Sequence, residues 1–170
     1  MQPLRILLVE DEYLFASVIR ADVMEEFPSG TVKITILTTE SQFNHRFKEG
    51  VAAEPVDVVI LDVMIRWTSP DQPEPKSDEA LAKGYYTAGI RCLEKLRARK
   101  DTAHVPVIIH SNLSREETEQ KLEGVSKGDL QIIPKSGDRQ PLLKALQTIA
   151  NSGETTTKAE KKPGRKVPTA

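Results

Sequence analysis

The chain has 170 residues, with 24 Lys and Arg against 25 Asp and Glu, a net charge of −1 and 38% hydrophobic residues. That length suits one domain with extras, and the balanced charge offers no long-range attraction to nucleic acid or to a membrane surface. The single cysteine, Cys92, excludes an internal disulfide framework and fits a reducing compartment; with no apolar run near the roughly 20 residues of a membrane span and no signal-peptide layout at the start, a cytoplasmic protein is expected.

In chain order, Leu4 to Val9 predicts a buried strand, followed at once by the acidic triplet Glu10-Asp11-Glu12. Tyr13 to Phe27 has a helical period, with Leu14, Val18, Ala21, Phe15, Ile19 and Val23 forming one broad apolar face, and Pro28-Ser29-Gly30 stops it. Thr31 to Leu37 alternates as a half-exposed edge strand does. Ser41 to Gly50 predicts a short helix, with Phe43 and Phe47 one turn apart and Gly50 closing it. Pro55 leads into Val56 to Met64, whose run Val58-Val59-Ile60-Leu61 is apolar on both faces, as in a central parallel strand, and ends in Asp62.

After Met64 the pattern breaks. Pro70, Pro73 and Pro75 among Asp71, Glu74, Asp78 and Glu79 predict a long loop over 65–86, with Trp67 at its base and room for one short helical turn at Asp78 to Lys83. Thr87 to Lys100 is an amphipathic helix carrying Ile90, Leu93 and Leu96 inward. Val105 to His110 is a short strand followed by Ser111, and Ser114 has capping-box spacing to Glu117. That helix turns Leu122 and Val125 inward and ends at Gly124 and Gly128. Leu130 to Ile133 is the last strand, running into Pro134-Lys135, and Asp138 caps a last helix with Leu142, Leu143, Leu146 and Ile149 inward. From Asn151 the polar composition predicts a disordered tail over 151–170 after a domain spanning 1–150.

Strict alternation of five strands and five helices predicts an α/β fold with a parallel sheet and helices on both faces. The strand order expected for such a layout is the flavodoxin-like 2-1-3-4-5. In that (βα)5 arrangement the carboxyl ends of the strands share one edge, which gathers Glu10, Asp11, Asp62, Ser111 and Lys135. Carboxylates about 5 Å apart repel by roughly 1–3 kcal/mol per pair at an effective dielectric of 20–80. Hard oxygen ligands favour Mg2+ as the offsetting cation. With a phosphoryl group present the parts acquire roles: Lys135 pairs with one oxygen, Ser111 donates to another, and Asp62 is the carboxylate nucleophile.

An acidic pair after strand 1, Asp after strand 3, Ser or Thr after strand 4 and Lys after strand 5 resembles the receiver domain of two-component response regulators, of the CheY-like type, over residues 4–150. The resemblance implies that Asp62 is the phosphoacceptor and that Asp11 ligates Mg2+ directly, with Glu10 through water. It further implies that the Met64 backbone carbonyl reaches the metal, that Ser111 is the switch hydroxyl and that Lys135 is the family's lysine. It implies a sensor histidine kinase or histidine phosphotransfer protein as donor. A protein target would read the strand 4, following helix and strand 5 face. Two positions depart from the pattern: Lys135 follows Pro134 and precedes Ser136, and Ile132 replaces the aromatic residue three before the lysine.

Only twenty residues follow the last helix, so the expected function is a stand-alone phosphorylation switch, catalysing at most its own phosphorylation and dephosphorylation. The alternative is a receiver-like binding module that has lost the usual readout. An aspartate-based phosphohydrolase would need a second Asp where Met64 stands. Plain readings suffice elsewhere: Cys92 and His110 as packed residues, His45 and His104 as surface residues, Trp67 as an anchor for the long loop, and Lys158, Lys161, Lys162, Arg165 and Lys166 as a solvated tail.

Overall fold

A computed structural model describes residues 2–48, 54–71 and 74–159 and gives each apolar run a place in one five-stranded sheet. Strands β1 (Leu4–Val9), β2 (Val32–Leu37), β3 (Val58–Leu61), β4 (Val107–Ile109) and β5 (Leu130–Ile132) lie in the order β2-β1-β3-β4-β5, every pair parallel. The helices are α1 (Tyr13–Glu26), α2 (Glu40–Arg46), α3 (Asp78–Lys83), α4 (Ala88–Ala98), α5 (Arg115–Lys121) and α6 (Gln140–Ala159).

Because successive strand residues point to opposite faces, the sheet has two cores. Leu7, Val9, Val59, Leu61, Val107 and Ile109 meet Phe43, Phe47, Leu93 and Leu96 from α2 and α4, with Leu122 at the end of α5. Ile6, Leu8, Val58, Ile60 and Ile108 meet Ile19 and Val23 of α1 and Leu142, Leu143 and Leu146 of α6. The register aligns the strand ends: Val9 pairs with Leu61, Leu61 with Ile109, and Ile109 with Ile132.

The structure corrects one expectation, on α1, and adds detail at two other places. Of the six apolar residues expected on the inner face of α1, only Ile19 and Val23 are buried, joined by Ala16, while Leu14 is 69% and Val18 56% exposed. A helix lying on a sheet buries a single stripe, and the row through Ala16, Ile19 and Val23 takes it. The short helical turn allowed at Asp78 to Lys83 forms as α3, which brings the helices among the described residues to six. Ser77 caps that helix by accepting from the Ala80 N–H, and Gly84, at φ 67°, closes it. Finally, α6 runs through Ala159, beyond residue 150; extending a helix already nucleated adds one hydrogen bond per residue without a second nucleation cost. Gly50, Pro73 and residues 160–170 lie outside the described residues.

The loop after β3 is fastened between α2 and α4. The backbone carbonyls of Arg66 and Trp67 accept from the N–H groups of Glu40 and Ser41, at 2.9 and 2.8 Å. These are first-turn amides of α2 that no intrahelical acceptor can satisfy. The Trp67 indole donates to the Glu74 carbonyl at 3.1 Å, and the Glu74 carboxylate takes the Ser41 hydroxyl and lies 3.1 Å from His45 Nε2. From the other side, Arg91 makes a buried ion pair with Glu40 and donates to the Gly84 carbonyl at 2.8 Å. Arg97 holds the far end of the sheet, donating to the carbonyls of Ala103, Val105, Lys127 and Asp129. Among the described residues, no helix is long and apolar enough to cross a membrane.

Candidate functional site

The aligned strand ends set the site by counting. One residue beyond the Val9–Leu61 row lie Glu10 and Asp62; two beyond Ile109 lies Ser111; three beyond Ile132 lies Lys135. Lys135 is oriented by its own N–H, which donates to the Ser111 carbonyl at 2.8 Å. Its ammonium then sits 2.6 Å from Glu10 Oε2 and 2.6 Å from Asp62 Oδ2, with all three side chains almost fully buried. The ring of Phe15 lies 4.6 Å from the same nitrogen and closes the α1 side of the mouth.

Each carboxylate has a further anchor. The Glu12 N–H, at the N-cap of α1, donates to Glu10 Oε1 at 3.2 Å, and the Met64 N–H donates to Asp62 Oδ1 at 3.2 Å. Burial is the main cause that raises the Glu10 pKa above the usual carboxylate range, against the pull of Lys135. For Lys135, burial works against the charge, but the hydrogen bonds to Asp62 and Glu10 outweigh it and hold the pKa above the usual lysine value.

Ligand oxygens of Glu10, Asp11 and Asp62 lie within 4.8 Å of one another. The donor set is three hard carboxylates, which suits Mg2+ or another oxygen-loving divalent cation. Ser111 is 1% exposed, and its hydroxyl has no hydrogen-bond partner among the described residues. A buried hydroxyl without a partner carries a penalty of roughly 1–3 kcal/mol, so a polar group entering the mouth is what it lacks. Cluster and hydroxyl together fit a cation and an anionic ligand.

Glu10, Asp11, Asp62, Ser111 and Lys135 thus gather at one edge, although Asp11 is not free. Arg66 Nε and N–H donate to Asp11 Oδ2 at 3.1 and 3.2 Å, and its Nη2 reaches the Asp11 carbonyl at 3.4 Å. Sequence reasoning passed over Arg66; the signal was a cation four residues after Asp62, at the opening of a loop rich in acids. It also passed over Gly89. A Cβ there would stand 2.0 Å from the Asp62 carbonyl oxygen, so glycine lets α4 press directly on the end of β3. His110, beside Ser111, is a packed residue with Nδ1 2.7 Å from the Ile133 carbonyl, and burial lowers its pKa. Cys92 is buried, which raises its thiol pKa and keeps it inert.

No family model matches the chain, and no curated protein matches it. Solved structures do. The phosphorylated cyanobacterial phytochrome response regulator RcpA aligns with a TM-score of 0.61 at 17% identity, covering 91% of this chain and 96% of that one. A CheY-like response regulator receiver domain protein from Methanospirillum hungatei aligns with a TM-score of 0.61 at 15% identity, covering 91% and 98%. The receiver domain of a sensor histidine kinase from Pseudomonas aeruginosa, with a magnesium ion coordinated in its active-site cleft, aligns with a TM-score of 0.59 at 18% identity, covering 88% and 98%. The chain has the fold of response regulator receiver domains.

Proposed function

We propose that the chain carries a receiver domain over residues 1–150, which accepts a phosphoryl group on Asp62 from a phosphohistidine of a sensor histidine kinase or histidine phosphotransfer protein. The observation that carries this reading is the Lys135 ammonium shared between Glu10 and Asp62 beside the unpartnered Ser111 hydroxyl. One Asp62 oxygen attacks phosphorus, the bond to the imidazole nitrogen breaks, and the nitrogen keeps the electron pair. Lys135 then turns from carboxylate to phosphoryl oxygen, and Ser111 donates to another. Asp11 and Asp62, with the Met64 carbonyl and Glu10 through water, would hold Mg2+, which supplies neutralisation of phosphoryl charge. Water later hydrolyses the acyl phosphate, so turnover is confined to the protein's own aspartyl phosphate. Such a protein works in the cytoplasm, through contacts with a target protein.

Incubation with Mg2+ and acetyl phosphate should add one phosphoryl group by intact mass, and Asp62→Asn should add none. An unmodified wild type under these conditions rejects the reading. A binding module without the usual readout is the second reading, favoured by Ile132, an aliphatic residue that cannot couple to Ser111 through a ring and whose carbonyl accepts from Arg115. Phosphorylation that leaves the α5 amide spectrum unchanged would support it.

A further inference from the structure

The site holds three carboxylates and two cations, and the cations are held differently. Lys135 is buried, with both contacts at 2.6 Å. Arg66 is 47% exposed and meets Asp11, 22% exposed, at 3.1 Å. An ion pair as exposed as this favours the paired state by a factor of about five or less. Asp11 is also the carboxylate nearest solvent of the three. Any divalent cation entering from solution therefore meets Arg66 first.

We propose that Arg66 is a built-in counter-ion for Asp11, displaced when a divalent cation binds, so that loading the site frees the start of the long loop from it. This rests on the metal-binding reading above. The coupling follows from how Arg66 is held. Its N–H, like its guanidinium, donates to Asp11 Oδ2, while its carbonyl accepts from the Glu40 N–H at the start of α2. The same residue thus touches the acidic cluster and α2. Trp67 follows directly, bonded through its carbonyl to Ser41 and through its indole to Glu74. Losing Arg66 from Asp11 removes the loop's tie to the site and leaves it held by α2 and α4 alone. Occupancy of the site is thereby reported on the α2 side of the sheet, away from β5 and Ile132.

Trp67 is the one tryptophan of the chain and so reads the loop directly. The full-length protein is titrated with Mg2+ by calorimetry and by Trp67 fluorescence, as wild type, Arg66→Gln, Arg66→Lys and Asp11→Asn. Arg66→Gln should bind Mg2+ about three- to fivefold more tightly than wild type, and its metal-free emission should move part of the way toward that of the loaded wild type, because the main-chain N–H at this position still donates to Asp11. Arg66→Lys, which keeps the charge, should return the affinity most of the way. In the wild type alone, Mg2+ should speed hydrogen exchange at the Glu40 and Ser41 amides. Equal Mg2+ affinity in wild type and Arg66→Gln overturns the counter-ion role while leaving the metal site standing. Absence of Mg2+ binding in wild type, Arg66→Gln and Asp11→Asn alike overturns the metal-binding reading, and this inference with it.

Discussion

Lys135 stands between two buried carboxylates that would otherwise repel, and its removal separates stability from chemistry. Lys135→Met leaves Glu10 and Asp62 facing each other without a cation, as breaking any buried ion pair does, and should lower stability by about 3–5 kcal/mol at neutral pH. Asp62→Asn instead relieves one of two carboxylates sharing one ammonium and leaves Lys135 paired with Glu10, so it should cost less stability than Lys135→Met while ending the proposed phosphoryl uptake. Urea denaturation of both proteins checks the pair; equal losses would show that Lys135 is not what holds the carboxylates together. Because burial already raises the Glu10 pKa, its protonation on acidification should shrink the Lys135→Met deficit.

At the scale of elements, the decisive contact is α4 against the end of β3. The Gly89 N–H donates to the Val63 carbonyl at 2.9 Å, and the absent side chain leaves Asp62 its backbone position. Gly89→Ala would normally favour a helix by about 1 kcal/mol, yet here the added methyl meets main chain, which cannot swing aside. The variant should lose about 1–3 kcal/mol in urea denaturation and accept phosphoryl groups from acetyl phosphate more slowly, since Asp62 moves with its carbonyl. A neutral or stabilised Gly89→Ala would mean that α4 can back away freely. Pressed onto β3 and tied by Arg91 to Glu40 and Gly84, α4 is the fixed wall on which the long loop rests.

The whole molecule should show its charge arrangement as a stability profile with losses at both ends of the pH scale. His110 has a pKa lowered chiefly by burial, so below about pH 6.5 the unfolded chain takes up a proton that the folded chain resists, and stability falls as pH falls. Asp57 has its pKa lowered chiefly by the hydrogen bond from Arg5, so its contribution, present above about pH 3.9, is lost as pH falls through its folded value. Lys135, raised by its carboxylates against the effect of burial, contributes below about pH 10.4 and is lost as pH rises through its folded value. Urea denaturation across pH should resolve the His110 step, and His110→Asn should remove it. The strands and the five residues at their carboxyl ends were legible in the sequence, because continuous apolar runs and strand-end carboxylates are local signals. The buried stripe of α1 was not, since its apolar residues offer two stripes and only the sheet decides between them. Arg66 and Arg91 were not either: their partners lie 55 and 51 residues away, and charge composition carries no distance.

The shared row of Val9, Leu61, Ile109 and Ile132 has one more consequence, for the history of each molecule. A slip of one residue in β3 or β4 would turn its core side chains to the opposite face, and would equally carry Asp62 or Ser111 off the mouth. Correct pairing and assembly of the proposed phosphoacceptor site are therefore the same event. In a parallel sheet built from distant segments, whose pairing is slow, recovery of the proposed phosphoryl uptake during refolding should time the completion of the sheet, and chains trapped out of register should take up none.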